Sequence, residues 1–254
     1  MKKLLTIYLT AIFLGILSIS NAHATQSKRI DVLIIGNASS GKTWLRACLL
    51  GEKPSTFESE YRAATTTANA AFSSITVNDK QVSLLYWDSP GDPSVHDQLL
   101  TFAGEKCQFI ILTMDLTKHT LGSTGAADGV DIVEDFLNDW LMSAAKQYPE
   151  AHLIVACTKK DATSSDTCNE IINRLNAFRN YGRYKGRYDC VLTSAKRDII
   201  SVRQIEAIIK RVLSSWGQSK FNNLPIFELP KNGETIKLPC GRTIYIKKGL
   251  CQIL

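Results

Sequence analysis

The sequence predicts an α/β fold, a P-loop-type doubly wound, mostly parallel six-stranded sheet with one antiparallel hairpin strand and helices on both faces. Three observations predict it. Short apolar runs alternate with segments of helical periodicity. Two of the runs, residues 109–114 (FIILTM) and 153–157 (LIVAC), are continuously apolar, as strands covered on both faces are. The first run, residues 29–35 (RIDVLII), passes directly into a glycine-rich turn that opens a helix.

The elements follow in order. Residues 29–35 are rich in branched side chains and read as a buried strand; residues 43–50 read as a helix closed by Gly51. Residues 60–71, rich in alanine and threonine, read as a loop. Residues 72–77 and 82–87 form a hairpin, with Asn78 and Asp79 as its turn signal. Between the two fully apolar strands, residues 130–147 carry Ile132, Phe136, Trp140 and Ala144 at helical spacing. Residues 169–178 are a further helix, 188–192 a short strand and 202–216 a closing amphipathic helix. Residues 217–254, with Pro225, Pro230 and Pro239, read as an irregular tail in which residues 235–247 can form a small hairpin around Cys240 and Gly241. The main domain is therefore residues 29–216.

Composition bounds the function. The chain has 254 residues, 44% hydrophobic and 21% charged, ordinary values for one globular core. A net charge of +6 without a basic stripe interleaved with aromatics excludes a nucleic-acid-binding profile and supports at most a slight attraction to anionic membranes. Seven cysteines with no C-x-x-C pair and irregular spacing argue against zinc and against a disulfide framework.

The two ends point in different directions. Residues 1–24 begin with Lys2 and Lys3, continue in an apolar run to about residue 19 and close on Ala22-His23-Ala24, the pattern of a secretory signal peptide; an uncleaved N-terminal anchor is the second reading. The last four residues, Cys251-Gln252-Ile253-Leu254, form a C-a-a-X-like box that would place a geranylgeranyl chain on Cys251, with Lys247 and Lys248 as an electrostatic second signal. Prenylation occurs in eukaryotic cytosol, whereas a signal peptide leads away from it. The box implies the cytosolic face of a membrane, and a bacterial protein secreted or delivered into a host cell would reconcile the two.

The chemistry begins at Gly36-Asn37-Ala38-Ser39-Ser40-Gly41-Lys42-Thr43, which matches G-x-x-x-x-G-K-[ST] between a strand and a helix. Glycines let successive N–H groups turn inward around phosphate oxygens, and the helix N-terminus adds a positive dipole end. Lys42 is placed to neutralise β and γ oxygens and Thr43 to ligate Mg²⁺, with Trp44 next in the same cradle. Asp88-Ser89-Pro90-Gly91 ends the second hairpin strand and sets a carboxylate and the Gly91 N–H beside Mg²⁺ and the γ-phosphate.

Two segments choose the base. Thr158-Lys159-Lys160-Asp161 follows the LIVAC strand at its carboxyl end. A carboxylate there accepts both N–H donors of guanine N1 and N2, for which adenine has no matching pair, so Asp161 selects GTP or GDP over ATP. The Lys159 stem can lie over the base, and a backbone N–H of Ser194-Ala195-Lys196 can bond guanine O6. An ATP-dependent P-loop enzyme is disfavoured by the same residues.

In this order the segments resemble the Ras superfamily of small GTPases, most closely its Rab and Rho branches, over residues 29–216. Trp87-Asp88-Ser89-Pro90-Gly91 is similar to the family's W-D-T-A-G, residues 158–161 to the T-K-x-D of its Rho members and residues 191–196 to E-T-S-A-K. The resemblance implies a GTP/GDP switch with exchange factors and effectors as partners, and it places Thr65 where a switch threonine ligates Mg²⁺ with GTP bound; Thr66 and Thr67 are adjacent.

The sequence also departs from that family. Asp92 occupies the catalytic position where glutamine usually orients the attacking water, and Pro90 replaces alanine. An anion beside the γ-phosphate opposes hydroxide approach, which predicts slow intrinsic hydrolysis; His96 and Gln98 are the nearest polar substitutes in sequence. Ala38 fills a loop position that is often glycine, where it would crowd an incoming arginine finger. The alanine-rich residues 63–71 lack the bulky side chains of a Rab effector surface, leaving Trp87 as a candidate aromatic contact or a core residue. The expectation is a slow switch or a GTP-locked module that occupies partners without cycling.

Overall fold

The computed structural model describes residues 27–52, 69–89, 107–118, 133, 136–178, 187–196, 198–227, 235–237, 243–247 and 250–253. Its centre is the expected sheet. The first strand, β1 (Ser27–Gly36), lies between two parallel neighbours, β3 (Lys80–Asp88) and β4 (Phe109–Asp115). Beyond β4 come β5 (His152–Thr158) and β6 (Tyr188–Leu192), both parallel; beyond β3 comes β2 (Asn69–Val77), antiparallel. The β2–β3 turn is Asn78-Asp79 with φ of 48° and 62°, the positive pair that a two-residue hairpin turn requires to match the twist of its strands.

Register matters more than strand count. Ile34 pairs with Asp88, Gly36 with Thr113, Asp115 with Thr158 and Cys157 with Leu192, so the carboxyl ends of β1, β3, β4, β5 and β6 line up along one edge. Strand order reverses at β1, where crossovers run to both sides, and that switch point is where doubly wound sheets leave a crevice.

Helices cover both faces because β1 alternates between them. Leu33 and Ile35 pack with Leu85, Trp87, Leu112 and Leu175 on one face. Ile30, Val32 and Ile34 pack with Leu45, Tyr86, Ile111 and Ile209 on the other. Each such buried aliphatic side chain contributes about 1.5–3 kcal/mol. The first helix, α1 (Lys42–Leu49), and the long α4 (Ile199–Ser214) cover the second face, α4 capped by Asp198 accepting from the Ser201 N–H at 3.1 Å. The first face takes α3 (Ser165–Phe178) and α2, which runs π-helical over Leu137–Met142 and α-helical over Ser143–Gln147.

Several elements differ from expectation. In α2 the π turn inserts a residue into the apolar stripe: Phe136 and Leu141, five apart, are both buried, while Trp140 is only partly so. Helix α3 begins at Ser165 rather than 169. The tail after residue 216 is not irregular throughout. It forms α5 (Gln218–Asn222), then β7 (Ile226–Phe227) antiparallel to the start of β1. The hairpin expected around Cys240 is present as β8 (Thr235–Lys237) and β9 (Thr243–Lys247). The last strand, β10 (Leu250–Ile253), joins β9 to β2 through Cys251–Ala70 and Gln252–Asn69, so among the described residues the tail adds four strands to the expected six of β1–β6. The turn signals Pro225, Pro230 and Pro239 had hidden strands only a few residues long. Among the described residues five cysteines are free thiols and no helix is long and apolar enough to cross a membrane; residues 1–24 lie outside the described residues.

Candidate functional site

The loop from Gly36 to Gly41 leaves β1 at the switch point and enters α1. Its shape depends on Gly36, at φ 146°: a Cβ there would collide with both the hydroxyl and the carbonyl oxygen of Thr113, its β4 neighbour. Ser40 is buried under the loop, its hydroxyl 2.5 Å from that of Thr113, while Asn37, Ala38 and Ser39 are exposed above it. Gly41 precedes the helix in left-handed conformation at φ 89°. Gly41, the residue before α1, offers no side-chain cap, so the helix presents its positive dipole end at that point.

Lys42 is buried and its ammonium donates to the carbonyls of Gly36 and Asn37, each at 2.8 Å. Burial pulls this amine down to about 8, with Asp88 opposing. Thr43 donates its hydroxyl to Asp88 Oδ2 at 3.0 Å across the gap from α1 to the end of β3. Burial pushes the Asp88 carboxyl up, against the pull of Arg46, Thr43 and Lys42. Asp88 Oδ1 and Ser89 Oγ, both buried, have no hydrogen-bond partner among the described residues. An unpaired buried carboxylate oxygen beside a hydroxyl fits a hard divalent cation such as Mg²⁺, so Thr43 and Asp88 are the residues that would hold it.

The loops that follow β5 and β6 sit along the same edge. The Thr158 hydroxyl lies against Gly41 and is 2.6 Å from Ser40 O and 3.1 Å from Met114 O, tying the phosphate loop to the end of β5. Lys159 turns left-handed at φ 60° and its ammonium meets Asp115 Oδ2 at 2.6 Å. Burial works against ionising Asp115, but Lys159 and Thr117 together outweigh it and hold the carboxyl below its ordinary range. Asp161 is exposed and accepts from Ser194 Oγ at 2.6 Å. Ala195 packs at the rim of the second core, where its carbonyl accepts from the Cys48 thiol, and Lys196 is exposed.

Residues 36–43, 88, 158–161 and 194–196 thus lie together at the carboxyl edge of the sheet, linked by hydrogen bonds from Thr43, Thr158 and Ser194, with Trp44 half-buried on α1. Thr65, Gly91 and Asp92 lie outside the described residues, as do Thr66, Thr67, Pro90, His96 and Gln98. Trp87 is not an exposed contact: it is buried, and its indole N–H donates to Asp31 at 2.9 Å. Cys251 is backbone-paired within β10.

Sequence reasoning missed Asp115, Thr113 and Arg46. Asp115 was signalled by its place at the carboxyl end of an apolar strand. Arg46 was signalled by its spacing, three residues after Thr43 and so on the same helix face. Thr113, which crowds Gly36 and shares a hydrogen bond with Ser40, carried no signal. Among the described residues no three His, Cys, Asp or Glu side chains cluster as metal ligands.

No protein-family model and no curated protein matches the chain. Its fold is similar to that of Methanosarcina barkeri Roco2 in the RocCORdC form bound to GDP, with a TM-score of 0.53 and 21% identity over 77% of this chain and 54% of that one. The chain therefore spans about half the length of that neighbour. At that identity the likeness is one of fold: this is a P-loop α/β domain.

Proposed function

We propose that the chain is a guanine-nucleotide switch that binds GTP and GDP with Mg²⁺ and hydrolyses GTP slowly. One relationship carries the reading: Asp161, oriented by Ser194, stands on the same crevice as the Gly36–Thr43 loop, and Thr158 joins the two. A phosphate cradle alone would serve any nucleotide. A fixed acceptor beside it serves a base with two adjacent donors, which is guanine.

The reading assigns these roles. Loop N–H groups and the start of α1 bind the β-phosphate; Lys42 leaves the Gly36 and Asn37 carbonyls for phosphate oxygens. Lys159, steadied by Asp115, lays its stem along the base. Mg²⁺, held by Thr43 and Asp88, would supply neutralisation of the phosphate charge. Thr65 is the proposed further ligand with GTP bound. Asp92, in place of a water-orienting glutamine, is the reason for slow turnover.

The finer likeness to Rab and Rho proteins, exchange factors and effectors as partners, and action at a membrane belong to the same proposal. Lipid on Cys251 with Lys247 and Lys248, or the N-terminal segment, supplies attachment. Lipidation of Cys251 requires β10 to leave β2, so it couples membrane attachment to the edge of the sheet. The alternative, a GTP-locked module that sequesters partners, is favoured by Asp92.

Single-turnover hydrolysis tests both readings. Residues 25–254 are loaded with labelled GTP and Mg²⁺ and the bound nucleotide is followed for hours. Conversion to GDP, accelerated in Asp92→Gln, supports the switch; retained GTP supports the locked module; failure to load GTP while ATP loads overturns both.

A further inference from the structure

Two residues of α1 converge on one carboxylate oxygen. Thr43 Oγ1 is 3.0 Å from Asp88 Oδ2, and Arg46 Nε is 3.9 Å from the same atom. Arg46 is almost wholly buried, and its Nε and Nη1 have no hydrogen-bond partner among the described residues. The distance is too long for a hydrogen bond but well within charge interaction. A guanidinium carries a positive charge and five N–H donors. A permanent cation, with donors to spare, therefore sits beside the carboxylate that the metal would use.

We propose that Arg46 is a built-in cation of the metal site, sharing Asp88 with Mg²⁺ so that bound guanine nucleotide depends only weakly on the metal. The proposal rests on the guanine-nucleotide reading above. Its physics has two parts. Without a metal, a bare carboxylate facing a polyphosphate repels it; a guanidinium against that carboxylate cancels the repulsion. When the Thr43 hydroxyl turns to the metal, Asp88 Oδ2 loses its donor, and a closing movement of about 1 Å brings Arg46 Nε to hydrogen-bond distance. The same positive charge opposes a divalent ion a few ångströms away and weakens its binding. Arg46 is a positioning residue: it acts through Asp88.

The test is release of GDP carrying a fluorescent N-methylanthraniloyl group from the full chain, with Mg²⁺ titrated and then chelated. In the wild type, chelation is expected to raise the release rate constant less than tenfold. In Arg46→Gln it is expected to raise it more than a hundredfold, with the Mg²⁺ midpoint at least tenfold lower than in the wild type. Arg46→Lys, which keeps the charge, stays within threefold of the wild type. A merely structural role would alter thermal unfolding without moving these metal responses. If Arg46→Gln does not fold, the wild-type titration decides: a rise of tenfold or more overturns the proposal. Equal metal dependence of the Gln variant and the wild type also overturns it. A folded wild type that takes up no guanine nucleotide overturns the underlying reading and the role of Arg46 with it.

Discussion

Ser194 Oγ donates to Asp161 Oδ1 across 2.6 Å, so the loop after β6 aims the carboxylate of the loop after β5. Under the proposed guanine-nucleotide reading, the pair would make base recognition a property of two loops rather than of one side chain. Asp161→Asn turns an acceptor toward guanine into a donor, and should lower GDP affinity about a hundredfold or more while raising affinity for xanthosine diphosphate, whose C2 oxygen accepts. Ser194→Ala leaves the carboxylate but frees it, with an expected loss of about tenfold. Competition against a fluorescent nucleotide measures both. Unchanged GDP affinity in Asp161→Asn would remove the basis for calling the site guanine-selective.

The turn out of β1 is controlled by the backbone of β4. A methyl group on Gly36 meets two atoms of Thr113, its hydroxyl and its carbonyl oxygen. Gly36→Ala should therefore displace the loop, lower the melting temperature and abolish nucleotide binding. Adding Thr113→Ala removes the hydroxyl and leaves the carbonyl, so the double variant is not expected to recover. Recovery of binding in it would locate the crowding in the side chain alone.

Gly36 and Lys42 were legible in the sequence because a phosphate loop is local: eight consecutive residues, one strand and one helix specify it. Asp161 and Ser194 were legible for the same reason, each lying just after its own strand. The central strands announced themselves by apolar runs whose period needs no tertiary context. Arg46 was not singled out, because a basic residue on a short helix ordinarily faces solvent; only the β1–β3 pairing brings Asp88 under it. Leu141 was missed because a π turn breaks the period used to find the stripe. Strands β7 and β10 were missed because two- and four-residue strands carry little pattern of their own. Their partners on β1 and β2 are remote in sequence.

At the opposite side of the β5–β6 pair, Asp189 Oδ2 meets His152 Nε2 at 2.7 Å and Arg211 Nη2 at 2.6 Å. Burial works against its ionisation, but these two partners outweigh burial and hold the carboxyl below the ordinary 3.8. A depressed folded value means stability that is fully present above about 3.8 and is lost as pH falls through the folded value. Asp189→Asn should cost about 1.5–3 kcal/mol at pH 7, the range for hydrogen bonds to charged groups. That deficit should shrink as pH is lowered through about 4 toward 2. Urea unfolding of both proteins across this range measures it; a deficit independent of pH would show that packing, not charge, is what the substitution removes.

Strand β10 occupies the free edge of β2, pairing Cys251 with Ala70 and Gln252 with Asn69 immediately after the threonine run 65–67. An uncovered edge exposes unpaired backbone groups that invite another chain. Removing residues 250–254 should therefore speed amide exchange at residues 69 and 70, the two that pair with β10, by roughly tenfold or more. Exchange in β4, three strands away across β3 and β1, should stay as it was. The truncated chain should also self-associate with rising concentration, read by sedimentation. Protection of residues 69 and 70 equal to that of the full chain would mean that the β2 edge is held by something other than β10, and the proposed coupling between lipidation of Cys251 and this edge would fall with it.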